Sequence, residues 1–155
     1  MLVATLQKDG RRLLAATVHL ESYLEDGPVR AAQLGEVFAL LGKTEDAVLM
    51  GDFNFGDAEE PDSSHLDREY RDVWKVLKPA QPGYTWNVER SPLAKRNSFP
   101  KEGSRRLDRI LIRSSVWVPE AIRILGDSPV SEERPGIFPS DHFGLCATLS
   151  AGPVR

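Results

Sequence analysis

The stretch from Ala47 to Asp57, AVLMGDFNFGD, limits the folds open to this chain more than any other. Val48, Leu49 and Met50 form a short apolar run bounded by turn residues, the pattern of a buried strand. The run passes through Gly51 straight into Asp52, Asn54 and Asp57. Either the strand surfaces into a solvated loop, or it delivers carboxylates to a site. In extended chain, residues two apart point to the same side. Asp52 and Asn54 then offer a carboxylate and an amide together, a pair able to hold a water and a phosphoryl oxygen.

The surrounding pattern supplies neighbours for that strand. Leu2–Leu6 and Leu13–Leu20 are apolar and partly β-branched, and the Asp9-Gly10 pair between them is a tight-turn signal. A β-hairpin is expected. Asp26 and Pro28 read as an N-cap and first-turn pair. Val29, Ala32, Val37, Leu40 and Leu41 then recur at helical spacing, and Gly42 follows as a stop. A second helix is expected from Ser64 to Leu77, with Leu66, Tyr70, Val73, Trp74 and Leu77 on one face. Ser64 and Asp67 have capping-box-like spacing. Strands follow within residues 82–88, 107–112, 121–125 and 142–150, with a basic loop over 91–106. The order β-β-α-β-α-β-β-β-β, with hairpins at both ends, predicts an α+β domain. Its sheet is mixed or antiparallel, with helices on one face.

With 155 residues, 41% hydrophobic and 28% charged, the chain has the size and composition of one globular domain. A net charge of -3 rules out a bulk positive field. The charge is uneven, however. Thr44–Asp72 holds ten acids against Arg68 and Arg71, whereas Arg90–Arg113 holds eight basic residues against Glu102 and Asp108. The two lobes are compatible with one metal and one polyanion, or with two solvated loops. Cys146 is the only cysteine, so no internal disulfide forms; it reads as a small core residue in a strand, in a reducing, cytoplasmic setting. At the N-terminus the basic residues follow the apolar run, the reverse of a signal peptide. No stretch nears the roughly 18 apolar residues of a membrane helix.

Chemistry-bearing residues gather at strand ends. Besides Asp52 and Asn54, Asp108 interrupts the apolar RRLDRILI, Asp141 and His142 adjoin just before the last strand, and His19 ends the second. Each alone is commonplace: a strand-end Asp usually forms a turn. Together, if the ends converge, they suit hydrolysis of a phosphate ester. Asp52 would orient and deprotonate a water, and Asn54 would position it. Asp108 would hold His142 in one tautomer. The histidines would stabilise charge on phosphate oxygens. Asp141 would hold a hard cation directly or through water.

The blocks HLES, GDFN, YTWN, RLDRI and PSDHFGL occur in the order and approximate spacing of the endonuclease/exonuclease/phosphatase superfamily, the DNase I-like fold. They resemble most closely its tyrosyl-DNA phosphodiesterase 2 branch. The resemblance implies a four-layer α/β/β/α sandwich with a magnesium-dependent phosphoesterase site at one edge, manganese being an alternative ion. It implies catalytic roles for His19, Asp52, Asn54, Asp108, Asp141 and His142. It implies metal contacts from Asp141, Asp52 and Asn54, and a substrate end formed by Trp86, Leu107 and Ser22. The substrate it implies is nucleic acid or another phosphate ester.

The chain also departs from the branch. Leu24 and Gly56 stand where members often carry arginine, and Leu107 where an aromatic often precedes the Asp of the FDRI block. These departures weaken specificity for 5′-tyrosyl DNA and leave room for a small phosphate ester or lipid head group. The family fold also has about as much chain again before HLES, carrying an Asn and a Gln-Glu pair whose Glu is the main magnesium ligand. Residues 1–150 thus resemble the C-terminal half of the domain, about one half of the sandwich, with 151–155 as a tail. The expectation is one mixed sheet with outer helices and a bare, apolar inner face prone to self-association. Alone, such a chain would be a poor enzyme, an inactive truncated fragment, or a half completed by a partner.

Overall fold

The computed structural model describes residues 1–152. Strands β1 (Leu2–Lys8) and β2 (Arg11–His19) pair antiparallel around Asp9 and Gly10. Both turn residues have positive φ, 51° and 75°, as the Asp-Gly signal demands. Helix α1 (Gly27–Leu41) then crosses over to β3 (Ala47–Asp52), which lies parallel to β2. Further along come β4 (Arg71–Asp72), α2 (Val73–Leu77), α3 (Pro92–Asn97), β5 (Asp108–Arg113), β6 (Trp117–Leu125) and β7 (Gly144–Ala151). The main sheet is mixed, in the order β1-β2-β3-β5-β4. The α+β class with one mixed sheet stands as expected. In addition, β6 and β7 form a second, two-stranded antiparallel sheet.

Strand alternation divides the core in two. Ala47 and Leu49 face one side of β3 and pack with Leu34, Val37 and Leu41 of α1. Val48 faces the other side, with Ile110 and Ile112 of β5, Trp117 and Ile122 of β6, and Val73 and Trp74 of α2. The helices therefore lie on opposite faces, which corrects the expectation of one helical face. The inner face is bare only in part: β6, β7 and α2 cover it over β3 and β5, whereas Thr17 and His19 of β2 stay exposed on it. The edge strand β1 is exposed along all seven residues, including Leu2 and Leu6.

Several local expectations need correction. The segment from Ser64 to Leu77 is no single helix: a 3-10 turn (Asp62–His65) leads through an extended stretch and β4 into the short α2. Leu66 and Tyr70 bury in the α1-side cluster, whereas Val73, Trp74 and Leu77 bury in the other. A continuous helix cannot serve opposite faces of a sheet. Asp72, not Ser64, caps the helix that forms, accepting bonds from the Trp74 and Lys75 amides. Asp26 precedes α1 without making a side-chain cap. Within 82–88 there is no strand, only single bridges from Trp86 to Arg105 and to His142. The supposed loop 91–106 contains α3, capped by Ser91 with Pro92 in its first turn. The last strand begins at Gly144, includes Ala151 and leaves Cys146 only half-buried. Of the expected tail, residues 153–155 lie outside the described residues.

Candidate active site

The sheet register assembles the site. His19 of β2 pairs with Asp52 of β3, and Asp52 pairs with Asp108 of β5. Directly paired residues project on the same side of a sheet. Three residues far apart in sequence thus stand in one row at one edge. Gly51 makes room for this row. Its φ is 131°, and a Cβ there would sit 2.0 Å from the Val18 carbonyl oxygen. Beyond Asp52 the pairing continues, with the Phe53 amide on the Leu107 carbonyl and the Leu20 amide on that of Asp52. Asn54 follows with φ 57°, a conformation Asn tolerates, and donates from Nδ2 to the Leu20 carbonyl at 2.8 Å.

His142 closes the group. Its Nδ1 lies 2.8 Å from Asp108 Oδ2, which leaves Nε2 facing Asp52 Oδ2 at 3.9 Å. On the other flank, His19 Nε2 is 3.5 Å from the same Asp52 oxygen. Asp108 is itself fixed, since its backbone amide donates to Thr85 Oγ1. Burial, and then the Asp108 charge beside it, raise the Asp52 carboxyl above its ordinary value; the Asn54 amide and both imidazoles oppose this. Burial disfavours the His142 imidazolium, but the Asp108 hydrogen bond and the surrounding carboxylates outweigh it and raise its pKa.

A cleft of about 530 Å³ opens over this row. All nine residues expected at the site line it: His19, Ser22, Asp52, Asn54, Trp86, Leu107, Asp108, Asp141 and His142. They are not equally placed. Trp86 and Leu107 are buried and pack on Ala94, with the Trp86 ring edge-on to His142 at 5.0 Å. Asp141 is turned to the rim, where Asn97 Nδ2 donates to it at 2.9 Å. Burial pushes its carboxyl upward, but that bond and its neighbours leave it below its ordinary value. The ligand atoms that converge, all within 4.8 Å, belong to Asp52, Asp108 and His142. Two hard carboxylate oxygens that repel each other suit magnesium, which takes one or two carboxylates and keeps water on its other positions. The donor set fits.

Sequence reasoning missed Tyr23, Asn97, Phe99, Glu102 and Arg105, which also line the cleft. Asn97 had a legible signal in the Ser-Pro start of α3. Tyr23 and Phe99 are 61% and 52% exposed and carry no periodic signature.

The charged lobes prove to be partners of each other. Arg106 and Arg109 are buried among Asp57 and Asp72, with Arg106 Nη2 2.8 Å from Asp72 Oδ2. Arg113 pairs with Glu69, and Arg105 with Glu59 and Glu102. Burial would raise the Asp57 carboxyl, but the two guanidiniums hold it down at about 2. On the α1 side, buried Arg30 makes a two-pronged contact with Asp62 and donates to the Glu21, Tyr23 and Leu24 carbonyls. That contact ties down the loop that follows His19.

The fold and site define a class. Residues 4–142 match the model of the Endonuclease/Exonuclease/phosphatase family, and the chain belongs to that family. Within it, the chain is similar to tyrosyl-DNA phosphodiesterase 2. It is 33% identical to that protein from Xenopus laevis, over 94% of this chain and 40% of the relative. It is 29% identical to that from Rattus norvegicus, over 97% of this chain and 41% of the relative. The chain thus spans about two fifths of the length of these relatives. A crystal structure of D. rerio TDP2 complexed with single strand DNA product is 27% identical and superposes with a TM-score of 0.79. It covers 96% of this chain and 60% of that one. A truncated Caenorhabditis elegans TDP2 shares the fold at a TM-score of 0.73. The resemblance read from the five sequence blocks holds, and with it the DNase I-like fold, spanning about three fifths of these two solved chains. No helix among the described residues is long and apolar enough to cross a membrane.

Proposed function

We propose that this chain carries the catalytic edge of a magnesium-dependent phosphodiesterase acting on nucleic acid. The row His19–Asp52–Asp108, with His142 locked onto Asp108, is the observation that carries this reading. Asp52 lies between two imidazoles, 3.5 and 3.9 Å from their Nε2 atoms, and is so placed to accept a proton from a water aimed at phosphorus. Asn54 stands beside it to hold that water. His142, oriented by Asp108, steadies negative charge on the phosphoryl oxygens. Asp52 and Asp108, whose ligand atoms converge, would hold the magnesium; Asp141 and Asn54 line the same cleft. When bound, the ion neutralises charge on the phosphoryl group. Relatives named for tyrosyl-DNA and a neighbour complexed with single strand DNA product support nucleic acid as the substrate.

The test is hydrolysis of a 5′-tyrosyl oligonucleotide by the purified chain with magnesium, beside Asp52→Asn. Turnover by the parent chain that falls at least ~100-fold in the variant supports the reading. Turnover that survives in Asp52→Asn contradicts it. A second reading, hydrolysis of a small phosphate ester, draws on the four acids in the cleft, Asp52, Glu102, Asp108 and Asp141, which repel an extended polyanion. Activity on inositol phosphates with none on oligonucleotides selects that reading. Silence on every substrate until a separately expressed N-terminal half is added selects the partner-completed half.

A further inference from the structure

Of the described residues that line the cleft, Arg105 is the only lysine or arginine. Its placement follows from the two bridges of Trp86. Arg105 and Trp86 exchange backbone hydrogen bonds of 2.8 and 3.0 Å, and Trp86 is bridged on its other side to His142. The three residues stand side by side across three chain segments, so their side chains project on the same side. Arg106, next in sequence, points the opposite way and is buried against Asp57 and Asp72. Two strand spacings separate Arg105 from His142, on the order of 10 Å between their backbones. A cation therefore lies in the same row as His142, with Trp86 between them.

Two carboxylates hold this guanidinium ready. Glu102 grips it from within, its side chain 9% exposed, and Glu59 grips it from the rim, at 3.2 and 3.3 Å, its side chain 39% exposed. Glu59 stands in a gap that only a glycine at 56 leaves: a Cβ on Gly56 would lie 2.8 Å from Glu59 Oε1. The inner carboxylate is fixed and the outer one is free to swing into solvent. Both Glu59 oxygens meet one nitrogen, Nη1, while Nη2 stays with Glu102, so a phosphate arriving at the rim can take the place of Glu59 and accept the charge-assisted Nη1 hydrogen bonds that it gives up.

We propose that Arg105 forms a subsite for a second anionic group of the substrate, next to the phosphate under attack, with Glu59 as its displaceable occupant. This rests on the phosphodiesterase reading and narrows it: the site prefers a substrate with two successive phosphates over one with a single phosphate. It also accounts for a single cation among four cleft acids, because the cation is reserved for one position.

The experiment compares two esters of equal leaving group in the presence of magnesium: thymidine 5′-(p-nitrophenyl phosphate) and the same compound with a 3′-phosphate. The quantity read is the ratio of their kcat/KM values. The parent chain should favour the bisphosphorylated ester, chiefly through KM. Arg105→Gln should reduce the ratio roughly ten- to a hundredfold, the loss of a charge-assisted pair, and Arg105→Lys should restore part of it. Glu59→Gln, which leaves the guanidinium in place and frees it, should raise the ratio. A ratio that Arg105→Gln leaves unchanged, or that Glu59→Gln lowers, overturns the proposal. Binding of thymidine 3′,5′-bisphosphate against the 5′-monophosphate, followed by NMR, gives a readout that needs no turnover. If neither ester is hydrolysed even with a separately expressed N-terminal half added, the functional reading fails; without turnover the subsite is judged on this binding alone: an Arg105-dependent preference upholds it, and equal binding overturns it.

Discussion

At the scale of the residue, acids that look alike in sequence do opposite work. Asp52 and Asp57 lie five positions apart in one loop-bearing stretch. Asp52 is buried beside another carboxylate and is pushed up; Asp57 sits against two buried guanidiniums and is held at about 2. The second fact makes a prediction about acid stability. A carboxyl whose folded value is depressed stabilises the fold at pH above its unfolded value of about 3.8. That contribution is lost as pH falls through the folded value, between about 4 and 2. The Asp57 side chain is 36% exposed, so solvent screening reduces its contribution to on the order of 1 kcal/mol. Urea denaturation at pH 7 and at pH 3 checks this: Asp57→Asn should be the less stable chain at pH 7, and the difference should shrink at pH 3. A gap that stays constant with pH would mean that Asp57 acts through packing instead. The candidate site residues at Asp52, Asp108 and His19 were legible because each breaks an apolar strand pattern at its end. Arg105 was not, since one arginine among eight basic residues carries no mark of which way it points.

At the scale of the element, periodicity was a reliable guide wherever a segment serves one face. The runs of β2, β3 and β5 alternate cleanly between the two core clusters, and α1 presents Leu34, Val37 and Leu41 to one. The stretch from Ser64 to Leu77 misled because it crosses the sheet edge: its apolar residues, helically spaced, belong to two cores. Asp72 marks the crossing point. It caps α2 and also pairs with Arg106, joining β4, α2 and the chain entering β5. The two roles separate by substitution. Asp72→Asn keeps an acceptor for the helix amides and gives up the ion pair; Asp72→Ala loses both. We expect Asp72→Ala to cost about 2–4 kcal/mol, because it leaves a buried guanidinium with Asp57 alone. Asp72→Asn should be milder by about 1 kcal/mol, the value of an N-cap. Urea midpoints at unchanged slope report both. Equal losses would show that the cap contributes nothing. Helix α3 escaped detection for a related reason: it is six residues long and fully buries only Ala94, so no stripe reveals it.

At the scale of the whole molecule, the acidic and basic lobes largely neutralise each other across the fold. Of the eight basic residues from Arg90 to Arg113, Arg105, Arg106, Arg109 and Arg113 pair with acids of the Thr44–Asp72 lobe, and Arg90 pairs with Asp127. Lys95, Arg96 and Lys101 remain exposed, on α3 and the turn after it, beside Asn97 and Phe99 at the cleft rim. A strand of nucleic acid leaving the cleft would therefore meet three free cations, not eight. Counterion release turns this into a number. Each phosphate neutralised on a single strand contributes about −0.7 to the slope of log K against log salt. Three contacts give a slope of about −2, and Arg105, once freed from Glu59, brings it nearer to −3. Eight would give about −6. Binding of a fluorescent single-stranded oligonucleotide, titrated over a range of salt, measures the slope directly. Replacing Lys95 and Arg96 together by glutamine should make it shallower by about 1.4. A slope near −6 in the parent chain would mean that the internal ion pairs open on binding. A slope near zero would mean that the cleft takes its phosphate ester without gripping a strand, which favours the small-substrate reading.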